Sequence, residues 1–321
     1  MKPVAFLSLV EIRTKAASVI PFLIGTLFAW YRHGSLNPLP LVLFFMSLLC
    51  FDMFTTGLNN RQDHRRARKR EGFNFDTHNA ISHYGLTPRQ VDVTLSVLLL
   101  TAIGAGLLLV LATDWVVLLV GMLAFGIGFL YSAGPLPLSR TPLGEAASGL
   151  AMGFVIPFLA WWIHAPHGAL FSLDVSSAQL TLTLAWRLLL DLLLVCVPPV
   201  CCIANIMLAN NLCDMDDDLA NHRYTLPVIA GRVWGMRLFH LLYLAAFGAV
   251  PLAVLTGAVP WPCLLVLAAA PKVLANLSAF RKQQTKKDTF GLSVINFLVI
   301  CLPFALLTGI GKLLDLFASG R

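Results

Sequence analysis

An all-α, polytopic membrane protein is the fold class this sequence predicts, and three observations predict it. Of 321 residues, 58% are hydrophobic and only 12% charged, with a mean hydropathy of +0.78. A soluble domain is roughly a quarter charged and about half apolar. Many apolar runs approach the ~20 residues a helix needs to cross a bilayer, and they are nearly free of charge. The basic residues gather in blocks between alternate runs, which is a topology signal rather than a nucleic-acid patch, despite the net charge of +7. Together these features exclude a disordered chain, a disulfide-stapled secreted domain and a soluble enzyme.

Nine spans follow between turn signals, at 12–31, 38–57, 93–112, 115–132, 144–163, 188–208, 236–256, 261–277 and 291–310. Glu11, Arg13 and Lys15 lead directly into the first span, so no cleavable signal peptide is read. Asn37-Pro38 divides the first pair, Asp114 the third from the fourth, and Gly257 to Pro260 the seventh from the eighth. The fourth and eighth are short, as tilted or broken spans are. Trp30, Trp115, Trp161, Trp162 and Trp261 lie mostly near span ends, where aromatic rings anchor at the interface. The seven cysteines (Cys50, Cys196, Cys201, Cys202, Cys213, Cys263 and Cys301) match no zinc or redox spacing and read as small buried hydrophobes.

With the N-terminus placed in the cytoplasm, alternation of sides gathers 19 of the 23 Lys and Arg residues on the inner face. Only Arg32, Arg187, Lys312 and Arg321 fall elsewhere. The block Arg65 to Arg70 anchors this topology, and it also suits anionic headgroups or a diphosphate. The expected location is a cell membrane, crossed many times, with the site opening toward the cytoplasm.

Two polar clusters carry the chemistry. The second span runs into Asn59-Asn60-Arg61-Gln62-Asp63 and the sixth into Asn210-Asn211-Leu212-Cys213-Asp214. Both read Asn-Asn-x-x-Asp, and both leave the membrane on the same side. Their equivalence implies one domain over 1–321 with pseudo-repeated halves of about 1–163 and 188–321, sharing a site between them. On a continued helix Asn211, Asp214 and Asp218 would share a face. With Asp216 and Asp217 they repel one another unless a cation intervenes, and hard oxygen donors suit Mg²⁺. The first copy has Ala67 four residues after Asp63; Asn74, Asp76, His78, Asn79 and His83 follow as further polar candidates. The loop from Tyr131 to Glu145 is placed to close over the site, with Arg140 its one basic residue and Glu145 readable either as a site acid or as a helix-start acid. Asp52 and Asp191 fall inside apolar spans; Asp52 shares a face with Asn59 and would line a cavity beneath it, and Asp191 lies near a span end within reach of headgroups.

Such a site matches a ligand with an anionic, metal-bridged head and a hydrocarbon tail, as an isoprenyl diphosphate has. Its metal would stabilise the leaving oxygens and its apolar walls would shield an allylic cation from water.

Over nearly its whole length the sequence resembles the UbiA superfamily of intramembrane prenyltransferases. The stretch Asn210-Asn211-Leu212-Cys213-Asp214-Met215-Asp216-Asp217-Asp218, leading to Arg223-Tyr224-Thr225-Leu226, is similar to the form used by menaquinone-pathway members. So is the segment from Tyr131 through Gly134-Pro135 to Pro142-Leu143-Gly144-Glu145, and Pro21 to Thr26 in the first span is also similar. The resemblance implies nine helices around a central cavity. It implies transfer of a polyprenyl group from its diphosphate to 1,4-dihydroxy-2-naphthoate, giving demethylmenaquinone with loss of diphosphate and carbon dioxide. Asp214 and Asp218 would hold one Mg²⁺ and Asp63 would help hold another, with Asn60, Asp217 and Asp76 as further candidate ligands. Asn59, Asn60, Asn210, Asn211 and Arg223 would position the diphosphate, with Tyr131 and Arg140 as added substrate contacts. The first motif departs from the family pattern, because Asn60 stands where an Asp is usual and Ala67 where many members have another acid. Other readings are a related enzyme with another aromatic acceptor, such as 4-hydroxybenzoate, homogentisate, haem or a chlorin, and, from a different class, a secondary transporter. Beyond these substrates and membrane lipids, neither nucleic acid nor an obligate protein partner is expected.

Overall fold

A computed structural model describes residues 1–66, 79–133, 137–175 and 179–319. In chain order the elements begin with α1 (Pro3–Leu9), a 3₁₀ turn (Ile12–Lys15), α2 (Ala16–His33), α3 (Pro38–Arg66), α4 (Ala80–Tyr84), α5 (Pro88–Ala112) and α6 (Trp115–Ser132). A second 3₁₀ turn (Leu138–Arg140), α7 (Gly144–Leu150), a π-helical turn (Ala151–Val155) and α8 (Ile156–Trp162) follow. A hairpin of β1 (Phe171–Val175) and β2 (Leu180–Leu184) leads to α9 (Trp186–Cys213), α10 (Met215–Ala220), α11 (Leu226–Ala230) and α12 (Arg232–Leu255). A 3₁₀ segment (Trp261–Ala269), α13 (Ala270–Lys282) and α14 (Phe290–Ala318) complete the chain. Among the described residues nine helical stretches are long and apolar enough to cross a membrane, matching the nine spans read from hydropathy. The chain is a multi-pass membrane protein.

Local chemistry sets many of the breaks. Thr87 caps α5 through a reciprocal bond with Gln90, and Pro88 occupies the first turn, where its missing N–H costs nothing. Asp114 caps α6 by accepting from the N–H groups of Val116 and Val117, and it also receives the Trp162 indole N–H at 2.9 Å. The short eighth span is completed by its 3₁₀ entry, which lengthens it per residue. Two results differ from the sequence reading. Between α8 and α9 stands an antiparallel hairpin, a small exception to the all-α class. The cluster-bearing spans also extend beyond their apolar runs, α3 to Arg66 and α9 to Cys213, because polar residues continue a helix once it leaves the hydrocarbon.

Small residues let the backbones approach where no hydrophobic force drives helices together. Gly25 of α2 lies directly on Pro157 and Ala160 of α8, leaving no room for a Cβ. Gly149 of α7 and Gly153 within the π turn lie against Val200 of α9, just beyond Pro198 and Pro199, whose rings remove two helix hydrogen bonds. The first and last spans, α2 and α14, pack on each other, while α3 pairs chiefly with α5 and α9 with α12. The largest core runs through α2, α9, α12, α13 and α14 and includes Trp161, Phe239, Tyr243 and Phe304. Outward residues such as Leu100, Leu111 and Leu255 are exposed in the isolated chain, as lipid-facing side chains must be.

Beneath the first cluster, α2 and α3 are joined by a buried ionic network. Lys15 is 4% exposed, and its Nζ donates to Asp52 Oδ1 at 2.7 Å and Thr56 Oγ1 at 2.7 Å. Ser18 Oγ donates to the other Asp52 oxygen at 2.6 Å. Asp52 is therefore committed to a helix–helix contact rather than free to line a cavity, which corrects the sequence reading: an intramembrane carboxylate takes the nearest cation. Asp191 likewise lies 3.4 Å from Arg32 at the opposite end of the bundle, instead of reaching headgroups.

Candidate active site

Both polar clusters lie at one end of the bundle, and the last turns of α6 show why. Gly128 faces Phe51 and Thr55 of α3, so closely that a Cβ would come within 2.6 Å of the Phe51 ring. One turn on, the Tyr131 hydroxyl donates to Met207 Sδ of α9 at 3.0 Å. Thr55 is one turn before Asn59, and Met207 one turn before Asn210 and Asn211. The end of α6 thus touches both cluster-bearing helices just inside their polar ends. The Tyr131 hydroxyl links two spans, a contact its place in the sequence did not reveal.

In the first cluster, Asn59 Nδ2 donates to Asp63 Oδ2 at 3.1 Å, one turn apart, and Asp63 is exposed. Asn60 is buried and faces another way. Its amide donates to the Leu9 carbonyl at 2.9 Å and to Glu11 Oε1 at 3.1 Å, fastening α1 to α3. Its own carbonyl accepts from Asn79, which also caps α4. Arg61 pairs with Asp92 at 2.6 Å. The Asn60 amide nitrogen is therefore occupied by packing, and only its side-chain oxygen remains to act as a donor atom to a metal. Asp76, Asn74, His78, Gly134, Pro135, Ala67 and the basic residues 68–70 lie outside the described residues.

The second cluster is more closely built. The helix breaks at Asp214, so Asp218 stands on α10 rather than on a continuation of α9, yet its N–H still bonds the Asp214 carbonyl at 2.7 Å. α10 ends in a Schellman motif: Arg223 N–H bonds the Asp218 carbonyl, His222 N–H bonds that of Leu219, and His222 adopts φ 54°. This reversal returns Arg223 to its own helix, placing Nε 3.2 Å from Asp218 Oδ1, while Thr225 Oγ1 donates to Asp218 Oδ2 at 3.1 Å. Arg223 also donates to the Ser139 carbonyl at 3.3 Å, and Tyr224 N–H to that of Arg140 at 3.0 Å. The loop after α6 accordingly closes on this cluster. Burial pushes the Asp218 carboxyl up to about 6, with Arg223 opposing the shift and Asp214 adding to it. Asp216 and Asp217 are exposed.

Two further side chains complete this cluster: Lys286, which the sequence marks only as a topology lysine, and Glu145, whose role the sequence leaves open between site acid and helix-start acid. Lys286, in the loop before α14, holds Asp214 Oδ2 at 2.6 Å; its sequence signal was a topology lysine beside another. Glu145, in the first turn of α7, accepts from Asn211 Nδ2 at 2.8 Å and is 3% exposed. Its second oxygen is buried with no hydrogen-bond partner. An orphaned carboxylate oxygen beside the second motif marks Glu145 as a site acid as well as a helix-start acid. Among the described residues no three acids, histidines or cysteines form a ready metal cage. The donors are nonetheless all hard oxygens, in Asp214, Asp218 and the Glu145 oxygen, and so they fit a magnesium-type ion. Arg223 and Lys286 supply the neighbouring positive charge.

Comparison with known proteins agrees with this architecture. The 1,4-dihydroxy-2-naphthoate octaprenyltransferase of Bacillus subtilis (strain 168) is 26% identical over 268 residues, 83% of this chain and 79% of that protein. The structure of a UbiA homolog from Aeropyrum pernix K1 superposes with a TM-score of 0.66 at 16% identity, covering 94% of this chain and 98% of that one. A UbiA homolog from Archaeoglobus fulgidus bound to GPP and Mg²⁺ gives a TM-score of 0.62 at 14% identity, covering 96% and 99%. The UbiA prenyltransferase family model matches residues 18–305, nine tenths of the sequence, and the chain therefore belongs to the UbiA prenyltransferase family.

Proposed function

We propose that this protein transfers a polyprenyl group from polyprenyl diphosphate to 1,4-dihydroxy-2-naphthoate, with Mg²⁺ as cofactor. The supporting observation is the second cluster, where Asp214, Asp218, Glu145, Asn211, Arg223 and Lys286 are assembled from four separate segments. The likeness to the Bacillus subtilis enzyme favours this acceptor, and the Archaeoglobus fulgidus homolog's GPP and Mg²⁺ favour the donor and the ion.

In the reaction the allylic C–O bond to diphosphate breaks and a ring carbon forms the new C–C bond. The carboxyl group leaves as carbon dioxide, giving demethylmenaquinone at the quinol level. Asp214 and Asp218 would hold one Mg²⁺ and Asp63 the other, with Asn60, Asp217 and Asp76 as further ligands. The bound ions supply positive charge to the departing oxygens. Arg223 and Lys286 are within reach to turn from carboxylates to phosphate oxygens, Arg as a fork and Lys as a point charge. Asn59, Asn210, Asn211 and Arg140 orient the head group, and Tyr131 keeps α6 and α9 spaced so that both clusters face one chamber. We place the N-terminus and the site on the cytoplasmic side, where the basic blocks belong, and read the two halves as a pseudo-repeat.

Membranes containing the protein, given 1,4-dihydroxy-2-naphthoate and polyprenyl diphosphates of several chain lengths, should yield a prenylated, decarboxylated product by mass spectrometry only with Mg²⁺. Asp214→Ala should abolish product while the protein remains folded. A product from 4-hydroxybenzoate in place of the naphthoate would reassign the acceptor, and full activity of Asp214→Ala would remove the metal assignment.

A further inference from the structure

Beside the site, the start of α12 and the end of α13 form a separate groove of about 1040 Å³. Three guanidiniums line it, those of Arg232, Arg237 and Arg281, and no acidic residue does. Among the described residues none of the three is ion-paired. Arg232 donates instead to Gln284 Oε1 at 2.7 Å, and Arg237 lies 4.7 Å above the centre of the Trp234 ring. Gln284 is itself held by the carbonyls of Phe280 and Arg281, so the charge is positioned by bonds rather than free in solvent.

The groove continues into the bilayer. Val233 and Trp234 are more than 60% exposed and Leu241 59%. Leu241 lies nine residues after Arg232 on one helix, a drop of about 13 Å at 1.5 Å per residue. Cations stand at headgroup depth and an exposed apolar wall runs below them, with an indole at the boundary where amphipathic rings partition. A free anion would have no use for the wall, and a neutral lipid none for the three guanidiniums.

We propose that this groove binds an anionic phospholipid, with its phosphate on Arg232, Arg237 and Arg281 and its acyl chains along Val233 and Leu241. This binding does not depend on the prenyl-transfer reading.

The test measures binding of phosphatidylglycerol and of phosphatidylcholine with the same acyl chains to the purified full-length protein in detergent, by native mass spectrometry. A cation near a membrane surface contributes about 1 kcal/mol, or roughly fivefold. Phosphatidylglycerol should therefore bind well over tenfold more tightly, and Arg232→Gln/Arg237→Gln should lose roughly thirtyfold. Arg187→Gln/Lys312→Gln, at the other end of the bundle, should lose nothing. Where the double variant fails to fold, Arg237→Gln alone should lose about fivefold. Equal binding of the two lipids, unchanged affinity in a folded arginine variant, or displacement of phosphatidylglycerol by equimolar inorganic diphosphate would each overturn the proposal.

Discussion

Removing either charge from the Lys15–Asp52 pair should destabilise the protein strongly, and removing both should not. Lys15 is 4% exposed and Asp52 13%, at 2.7 Å, with Thr56 and Ser18 satisfying further positions. Asp52→Leu leaves the ammonium buried with only the Thr56 hydroxyl and a backbone carbonyl. Lys15→Met leaves the carboxylate with the Ser18 hydroxyl and a distant Thr56. Breaking a buried pair in this way costs about 3–5 kcal/mol, whereas replacing both members by apolar residues of similar volume is commonly near neutral. Thermal unfolding of purified protein in detergent should show each single variant melting on the order of 6–15 °C lower, and Lys15→Met/Asp52→Leu close to wild type. The singles should also lose turnover, because Thr56 stands one turn before Asn59 and Asn60 and any shift between α2 and α3 displaces them. Additive losses in the double variant would show that the two side chains act separately, and would refute the idea that the pair sets the register of these helices.

Other consequences are as direct. Since Asp218 takes up its proton near pH 6, Mg²⁺ competes with a proton only below that value. The Mg²⁺ concentration for half-maximal turnover should be flat above pH 6 and rise toward tenfold per unit below it, and a flat profile down to pH 5 would remove Asp218 from the ion's ligands. Glu145→Gln should raise that Mg²⁺ requirement roughly 10–100-fold without lowering the melting temperature, since it removes a buried charge whose Oε2 has no partner; a large thermal loss would make Glu145 purely structural. At His222, φ 54° costs an L-residue about 1 kcal/mol, so His222→Gly should melt a few degrees higher and His222→Val lower, by the same detergent assay.

Much of the architecture was legible in order along the chain, and the reason is the solvent. A bilayer demands helices of about 20 apolar residues with their backbone groups satisfied internally, so hydropathy alone locates nine spans. The two Asn-Asn-x-x-Asp clusters are local patterns as well, and each ends a helix that α6 touches. What the order of residues did not contain is the choice of partner for each buried polar group. Asn60 and Asn211 occupy matching places in the two motifs, yet one fastens α1 and the other holds Glu145, 66 positions away. Lys15 and Lys286 both read as topology lysines; one locks two spans together and the other neutralises Asp214.

The sequence by itself determined that this chain crosses a membrane many times and carries two polar clusters at helix ends, because both follow from how each short stretch partitions between water and lipid. Only the tertiary structure decided which charges meet. Pairing depends on the rotation of each helix about its axis, set by close contacts such as Gly25 on Pro157 and Gly153 on Val200, and no local stretch of sequence carries that angle.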